Sequence, residues 1–430
     1  MQLRLARHGL SSLGRCESHV LDNIRQVADR ISDSLGIRGV RQKKAKRVSS
    51  KLKPLTLHSA EDILSRHTRD LLGKKPFDRN VYIMVTTPLK VDFSPTWVRK
   101  ALRAGANLFR VNCSHDAVAD WSEIIKTIRQ MSSELEIPCR IFMDLAGPKI
   151  RTASPEPKKL STGDFISLVA EIHNKKKDVL CSLPEALKFV MVGERVVFDD
   201  GKISAVVVGK DVNKVDLEII RTPGPKVKLK REKGINFPDS LISVSEVTEQ
   251  DLRDLEFAAV HADIIGLSFV QSPEAIRKIR REISARTTRT LGIVLKIETQ
   301  AGFRELPKLL FEAMREYPAG VMIARGDLGV EVGFERMGEV QDEILWLCES
   351  AHVPVIWATQ VLENQAKTGI PSRAEVTDAA SSVRAECVML NKGPFIDETI
   401  RSLDDILKRM EAHSHKKRSV YRKLKVAKLL

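Results

Sequence analysis

The segment GIVLKIETQAGF, residues 292–303, has the composition of a buried strand interrupted by charge. Val294, Leu295 and Ile297 are typical of a strand interior, yet Lys296 and Glu298 lie among them. Burying either charge without a partner costs several kcal/mol, on the order expected for desolvating an ion. A lone K-x-E is explained as well by a structural cross-strand ion pair as by a functional site. The rest of the chain must distinguish these two explanations.

Seven further segments of the same kind occur along the chain. Their starts lie 27 to 33 residues apart, except for one interval of 124 residues. That spacing fits a strand, a loop and a helix that returns the chain to the next parallel strand. The eight predicted strands are 81–87, 108–114, 140–145, 264–269, 292–298, 320–325, 353–359 and 386–391.

The gaps between these strands have helix start signals. Ser94-Pro95 predicts an N-cap with proline in the first turn, Thr248 and Asp251 predict a capping box, and Pro273 predicts another helix start. Eight alternating strands and helices predict an α/β fold, a closed (β/α)8 TIM barrel. An open doubly wound sheet is the alternative, but no G-x-G-x-x-G follows the first strand.

The long interval contains more sequence than one helical connection requires. Its segments alternate between apolar and polar residues and are separated by turn signals such as Asp200-Gly201, which predicts a small all-β lid domain inserted after strand three. The predicted domains are a basic, partly helical N-terminal extension at 1–77, a barrel at 78–152 and 233–412, a lid at 153–232, and a basic tail at 413–430.

The net charge of +15 is concentrated at the two ends of the chain. Residues 1–77 carry +10 and residues 413–430 carry +7, so the middle is nearly neutral. The basic ends could contact nucleic acid or an anionic surface, although solvated segments explain them more simply. With neither a secretory signal nor an apolar run long enough to span a membrane, and no C-x-x-C among six cysteines, we expect a cytoplasmic protein.

Polar residues follow most of the predicted strands, where TIM barrels place their chemistry. Lys296 and Glu298 are two residues apart and therefore lie on one face of their strand, and Asp327 follows the next strand. Two carboxylates suit Mg²⁺ or Mn²⁺. Arg110 and Arg151 add positive charge, which predicts an anionic, phosphorylated substrate.

At these positions the chain resembles the pyruvate kinase family over residues 80–412. The resemblance implies transfer of a phosphoryl group between phosphoenolpyruvate and ADP with Mg²⁺ or Mn²⁺. It is carried by RVNCSH (110–115), MDLAGPKIRT (143–152), DDGKIS (199–204), KGINFP (233–238), KIE (296–298), ARGDLG (324–329) and ATQVLE (358–363).

The resemblance also implies a role for each matching residue. Glu298 and Asp327 would bind the divalent metal, while Lys296 and Arg110 would contact the phosphoryl group. Thr359 would lie on the proton path to the enolate carbon. Arg151 and Lys233 would contact the nucleotide, and Gly326 with Asp327 would receive the substrate carboxylate.

A further part of the resemblance concerns a monovalent cation. Asn112, Ser114, Asp144 and the Leu145 carbonyl match the pocket that holds K⁺ in much of the family. Lys149 stands where most members have Glu, and members with Lys at this position are generally K⁺-independent. We therefore expect Lys149 to substitute for the cation, so that K⁺ is not required.

Two segments that flank the nucleotide in the family differ here. TTPLK (86–90) replaces the usual T-I-G-P, and 391–394 replaces S-G-E-T. These differences leave open a related metal-dependent aldolase or lyase, a kinase with another acceptor, or an inactive regulatory homologue. The sequence ends where the family's regulatory domain would begin, so we expect no sugar-phosphate effector control; homo-oligomerisation remains open.

Overall fold

The computed structural model describes residues 18–34, 55–415 and 418–419. Eight parallel strands close into a barrel, in which β1 pairs with both β2 and β8. The fold prediction is therefore confirmed. The strands are β1 (Tyr82–Thr86), β2 (Leu108–Asn112), β3 (Arg140–Asp144), β4 (Ile264–Leu267), β5 (Gly292–Ile297), β6 (Ala319–Ala324), β7 (Val355–Ala358) and β8 (Cys387–Leu390).

Helices alternate with the strands, and two further helices precede them. Within the described ranges, no helix is both long enough and apolar enough to cross a membrane. The helices are α1 (Val20–Ser34), α2 (Leu57–Leu72), α3 (Pro95–Ala104), α4 (Val118–Glu134), α5 (Glu249–His261), α6 (Pro273–Arg286), α7 (Gln300–Ala313), α8 (Arg325–Val332), α9 (Met337–Ser350), α10 (Glu363–Thr368), α11 (Arg373–Ser381) and α12 (Ile396–Glu411).

The predicted helix starts are confirmed by the capping contacts. The Ser94 side chain accepts a hydrogen bond from the Trp97 amide, and Thr248 forms a capping box with Asp251. These contacts satisfy amide groups that the first helical turn leaves without partners. Each cap fixes where the chain leaves a strand-end loop and turns back along the barrel.

Helix α2 closes the end of the barrel opposite the strand carboxyl ends. Its Leu71 and Leu72 are buried in one cluster with inward-facing residues such as Met84 and Phe142. A Cβ atom at Gly292 or Gly320 would lie 2.5 Å from a methyl carbon of Leu71. Glycine at these two positions therefore gives Leu71 room to enter the barrel.

The insert after β3 forms the predicted β-rich lid with its own apolar core, which includes Leu168, Val196 and Phe198. Ile235–Asn236 pairs with the lid strand Arg195–Phe198, three residues past the predicted lid boundary at 232. The lid strands are Lys158–Leu160, Phe165–Val169, Asp178–Leu180, Arg195–Phe198, Ile203–Asp211, Lys214–Arg221, Val227–Leu229 and Ile235–Asn236.

The basic segment 41–53 lies outside the described residues, as does most of 415–428. The N-terminal extension, predicted to be partly helical, contains α1 (Val20–Ser34) and α2 (Leu57–Leu72). Contact of the basic ends with an anionic partner stays a prediction.

Candidate active site

A cavity of about 200 Å³ lies at the carboxyl ends of the barrel strands. It is lined by residues from seven different strand ends, which agrees with the location of TIM-barrel active sites. Most of the residues chosen from the sequence meet here. These are Arg110, Asn112, Ser114, Leu145, Lys149, Arg151, Lys296, Glu298, Asp327 and Thr359.

The Lys296 ammonium is the centre of a buried charge cluster. Its Nζ lies 3.0 Å from Asp144 Oδ1 and 3.2 Å from Glu298 Oε1, and it donates to Ser268 Oγ at 2.7 Å. Burial alone would lower the pKa of Lys296, but the negative charges of Asp144 and Glu298 outweigh burial and raise it. Lys296 is therefore a fixed positive charge at the base of the cavity.

Asp144 neutralises two cations at once. Besides Lys296, it accepts a hydrogen bond from Arg110 Nε at 2.7 Å. Burial disfavours its charged form, yet Lys296 and Arg110 hold the pKa of the Asp144 carboxyl below its ordinary value. Gly266 on β4 makes room for this carboxylate, since a Cβ at that position would lie 2.7 Å from Asp144 Oδ1.

Glu298 and Asp327 present carboxylates next to this cluster. Glu298 Oε2 accepts from the Phe269 amide at 2.6 Å. Burial raises the pKa of Glu298, and the nearby negative charges of Asp327 and Asp144 add to this effect while Lys296 opposes it. Asp327 Oδ1 is buried and has no hydrogen-bond partner among the residues that the structure describes. An orphaned carboxylate oxygen beside a second carboxylate fits a hard divalent cation, which favours oxygen ligands.

Lys149 makes a contact that its predicted role does not include. Its Nζ lies 2.8 Å from Asp327 Oδ2, on the predicted metal ligand, rather than on Asn112, Ser114 or Asp144. Lys149 nevertheless lines the same cavity as Asn112 and Ser114. The structure thus places the Lys149 ammonium on the predicted metal ligand, within the cavity that Asn112 and Ser114 also line.

Thr359 lies just beyond β7 in an unusual backbone conformation. Its φ is 64°, and Gln360 and Leu362 also have positive φ values, of 55° and 45°. A β-branched residue rarely adopts this left-handed region, so surrounding contacts must hold it there. The Thr359 Oγ1 donates to the carbonyl of Ala358 at 2.7 Å. Gly326 lies against Thr359: a Cβ atom added at Gly326 would lie 3.8 Å from the Thr359 Cγ2.

The two predicted nucleotide residues lie where the lid joins the barrel. Arg151 Nη1 donates to the Glu232 carbonyl at 3.1 Å, and Arg151 also pairs with Gly234 through a β-bridge. Lys233 Nζ lies 2.8 Å from Asp199 Oδ1 in the lid. Arg151 lines the cavity, whereas Lys233 is paired with the turn at 199–201.

Arg325 belongs to the ARGDLG segment (324–329), but its sequence position predicted no role for it. Its guanidinium reaches across to the backbone that carries Thr359 and is paired with Asp378 on α11. No sequence signal pairs an arginine with a carboxylate 53 residues later; only the placement of α11 against the barrel end does so.

Residues 79–394 match the family model described as pyruvate kinase, barrel domain. The chain belongs to the pyruvate kinase family.

Curated pyruvate kinases are similar to this chain over about three quarters of its length. One from Thermotoga maritima is 30% identical over 354 residues, which cover 80% of this chain and 73% of that protein. One from Methylorubrum extorquens is 32% identical, covering 74% of this chain and 66% of that protein. The match to pyruvate kinase 2 of Synechocystis is 33% identical and covers 73% of this chain but 54% of that protein.

The charge cluster leads to a prediction about stability. Replacing Asp144 with Asn should lower the free energy of unfolding by about 3–5 kcal/mol, because one partner of a buried ion pair is removed and Lys296 and Arg110 lose their counter-charge. Urea denaturation measures the loss.

Asp405→Asn is the matched control, because Asp405 pairs with Arg409 at the exposed surface and its loss should hardly change the free energy of unfolding. Equal losses in the two variants would show that Asp144 does not neutralise buried charge.

Proposed function

We propose that this protein transfers a phosphoryl group between phosphoenolpyruvate and ADP, with Mg²⁺ or Mn²⁺. The observation that carries the proposal is the convergence of Lys296, Arg110, Glu298 and Asp327 on one cavity at the barrel mouth. Phosphoryl transfer needs charge stabilisation and positioning more than covalent chemistry. Fixed cations beside carboxylates that suit a metal meet that need.

Each side chain then has a distinct task. Lys296 stabilises negative charge on the phosphoryl group, since its protonated form is favoured by Asp144 and Glu298. Arg110 holds a phosphate oxygen, oriented by Asp144. A divalent metal bound by Glu298 and Asp327 would supply Lewis-acid stabilisation of substrate oxygens. Gly326 and Asp327 lie in the first turn of α8, where free amides suit a carboxylate.

The remaining residues are proposed to complete the substrate sites. Thr359 lies on the proton path to the enolate carbon. Arg151 and Lys233 contact the nucleotide from the junction between lid and barrel, where both are found. A cytoplasmic location fits these substrates. The altered segments 86–90 and 391–394 make the choice of phosphoacceptor the least constrained part of the proposal.

Turnover with several acceptors tests the function. With phosphoenolpyruvate, Mg²⁺ and a panel of nucleoside diphosphates, pyruvate formation coupled to lactate dehydrogenase should be observed with at least one acceptor. If none of the acceptors supports pyruvate formation, the proposal is wrong.

Lys296→Met separates catalysis from metal binding. The variant should turn over at least about 10²-fold more slowly, the scale expected for one preorganised electrostatic contact. Its Mn²⁺ affinity, measured by titration, should persist, because Glu298 and Asp327 remain.

Glu298→Gln is the companion to that variant and should weaken Mn²⁺ binding itself. A near-normal rate for Lys296→Met would show that Lys296 is only a structural ion-pair partner.

Lys149 is proposed to remove the requirement for K⁺. Its ammonium can supply a positive charge near the transferring phosphate without recruiting an ion. The wild type should keep full activity when K⁺ and Na⁺ are replaced by tetramethylammonium, whereas Lys149→Glu should depend on K⁺. Lys149→Arg, which keeps the charge, should behave like the wild type. A wild type that needs K⁺ for most of its rate contradicts the idea.

A further inference from the structure

We infer that Arg325 is a positioning residue that holds Thr359 in its reactive conformation, and that Asp378 orients Arg325 for this task. The inference deepens the proposed function and rests on it, because the task of Thr359 is part of that proposal. It is carried by one guanidinium that joins three separate parts of the barrel mouth.

The first part is the backbone at the end of β7. Arg325 Nε donates to the Ala358 carbonyl at 2.8 Å, and Nη2 donates to the Thr359 carbonyl. Two donors of a planar fork thus bind two consecutive carbonyls. This fixes the two peptide units that flank the Thr359 Cα, and therefore the direction in which the Thr359 side chain leaves the backbone.

The second part holds the guanidinium itself in place. Arg325 Nη2 donates to Asp378 Oδ2 at 2.8 Å, and the guanidinium carbon lies 5.0 Å from the centre of the Trp357 ring. The Arg325 side chain is only 13% exposed. A carboxylate on one edge and an aromatic face beneath leave little freedom to turn, which preorganises the fork.

The turn that carries Thr359 has a strained backbone conformation, which the contacts of Arg325 must hold in place. Thr359, Gln360 and Leu362 all have positive φ, which costs a non-glycine residue of this kind conformational free energy. Without an external restraint the turn would relax toward an ordinary conformation and move the Thr359 hydroxyl. The Arg325 fork supplies such a restraint from the neighbouring strand end.

The third part is the metal side of the cavity. Arg325 is the first residue of α8, and Asp327 follows two positions later. The residue that restrains Thr359 is therefore continuous with the backbone that carries the predicted metal ligand. A single side chain sets the spacing between the proton-transfer group and the carboxylate across the β6 and β7 ends.

Arg325→Lys tests the inference, because lysine keeps the charge but cannot bind two carbonyls and a carboxylate as a fork. Asp378→Asn is a second, milder variant that leaves Arg325 in place.

The chain offers a matched control in Arg384→Lys. The Arg384 guanidinium covers the same Trp357 ring, at 5.7 Å, but pairs with Asp342 and donates to the Ser381 carbonyl. Loss of general support around Trp357 would affect both arginine variants.

The main measurement is deuterium incorporation into the methyl group of pyruvate in D₂O with Mg²⁺ and ATP, which reports proton transfer at the enolate carbon. Arg325→Lys should reduce the exchange rate by about 10²-fold, the scale expected when a catalytic group is misplaced by roughly 1 Å. Asp378→Asn should reduce it less, and Arg384→Lys should leave it unchanged. Mn²⁺ affinity should stay within about twofold in all three.

The outcomes separate this inference from the proposed function. A wild type with neither exchange nor phosphoryl transfer overturns both. An active wild type with normal exchange in Arg325→Lys and Asp378→Asn overturns the inference alone. Equal losses in Arg325→Lys and Arg384→Lys also overturn it, because they show only structural support of Trp357. If Arg325→Lys fails to fold, exchange in Asp378→Asn decides.

Discussion

A fully buried carboxylate, Asp144, lies between two cations, and the site depends on that arrangement. In a low-dielectric interior, an unpaired charge of either sign would cost several kcal/mol. Asp144 on β3 therefore requires Arg110 from β2 and Lys296 from β5, and each cation in turn requires Asp144. This mutual need fixes two positive charges at the cavity without flexible surface side chains.

The barrel explains how such a cluster can form from distant sequence. Parallel strands end on the same side, so residues from β2, β3 and β5 converge although nearly 190 residues separate Arg110 from Lys296. Gly266 on β4 has no side chain, which leaves space beside that strand for the carboxylate of Asp144 from β3. At the opposite end, Leu71 of α2 is buried among the inward-facing strand residues, and the cavity lies at the carboxyl ends of the strands. An apolar plug and a charged cavity thus lie at opposite ends of one barrel.

Two ion pairs nearer the surface are less buried than the cluster around Asp144. Lys149 and Asp327 form a partly exposed pair, and Lys233 pairs with Asp199 within the lid region. Both pairs are partly open to water, which weakens a charge pair more than it would in the fully buried cluster. The buried cluster therefore holds its charges more firmly than these two outer pairs hold theirs.

The sequence by itself determined the alternation of strands and helices, the helix caps and the polar strand ends, because periodicity, capping chemistry and turn residues act over a few positions. It also placed Lys296 and Glu298 on one face, since side chains two apart along a strand point the same way. Tertiary structure alone decided that Lys149 contacts Asp327, that Leu71 enters the barrel beside Gly292 and Gly320, and that Arg325 binds the carbonyls of Ala358 and Thr359. Those contacts depend on strand register, side-chain rotamers and the docking of distant helices, which no local pattern specifies.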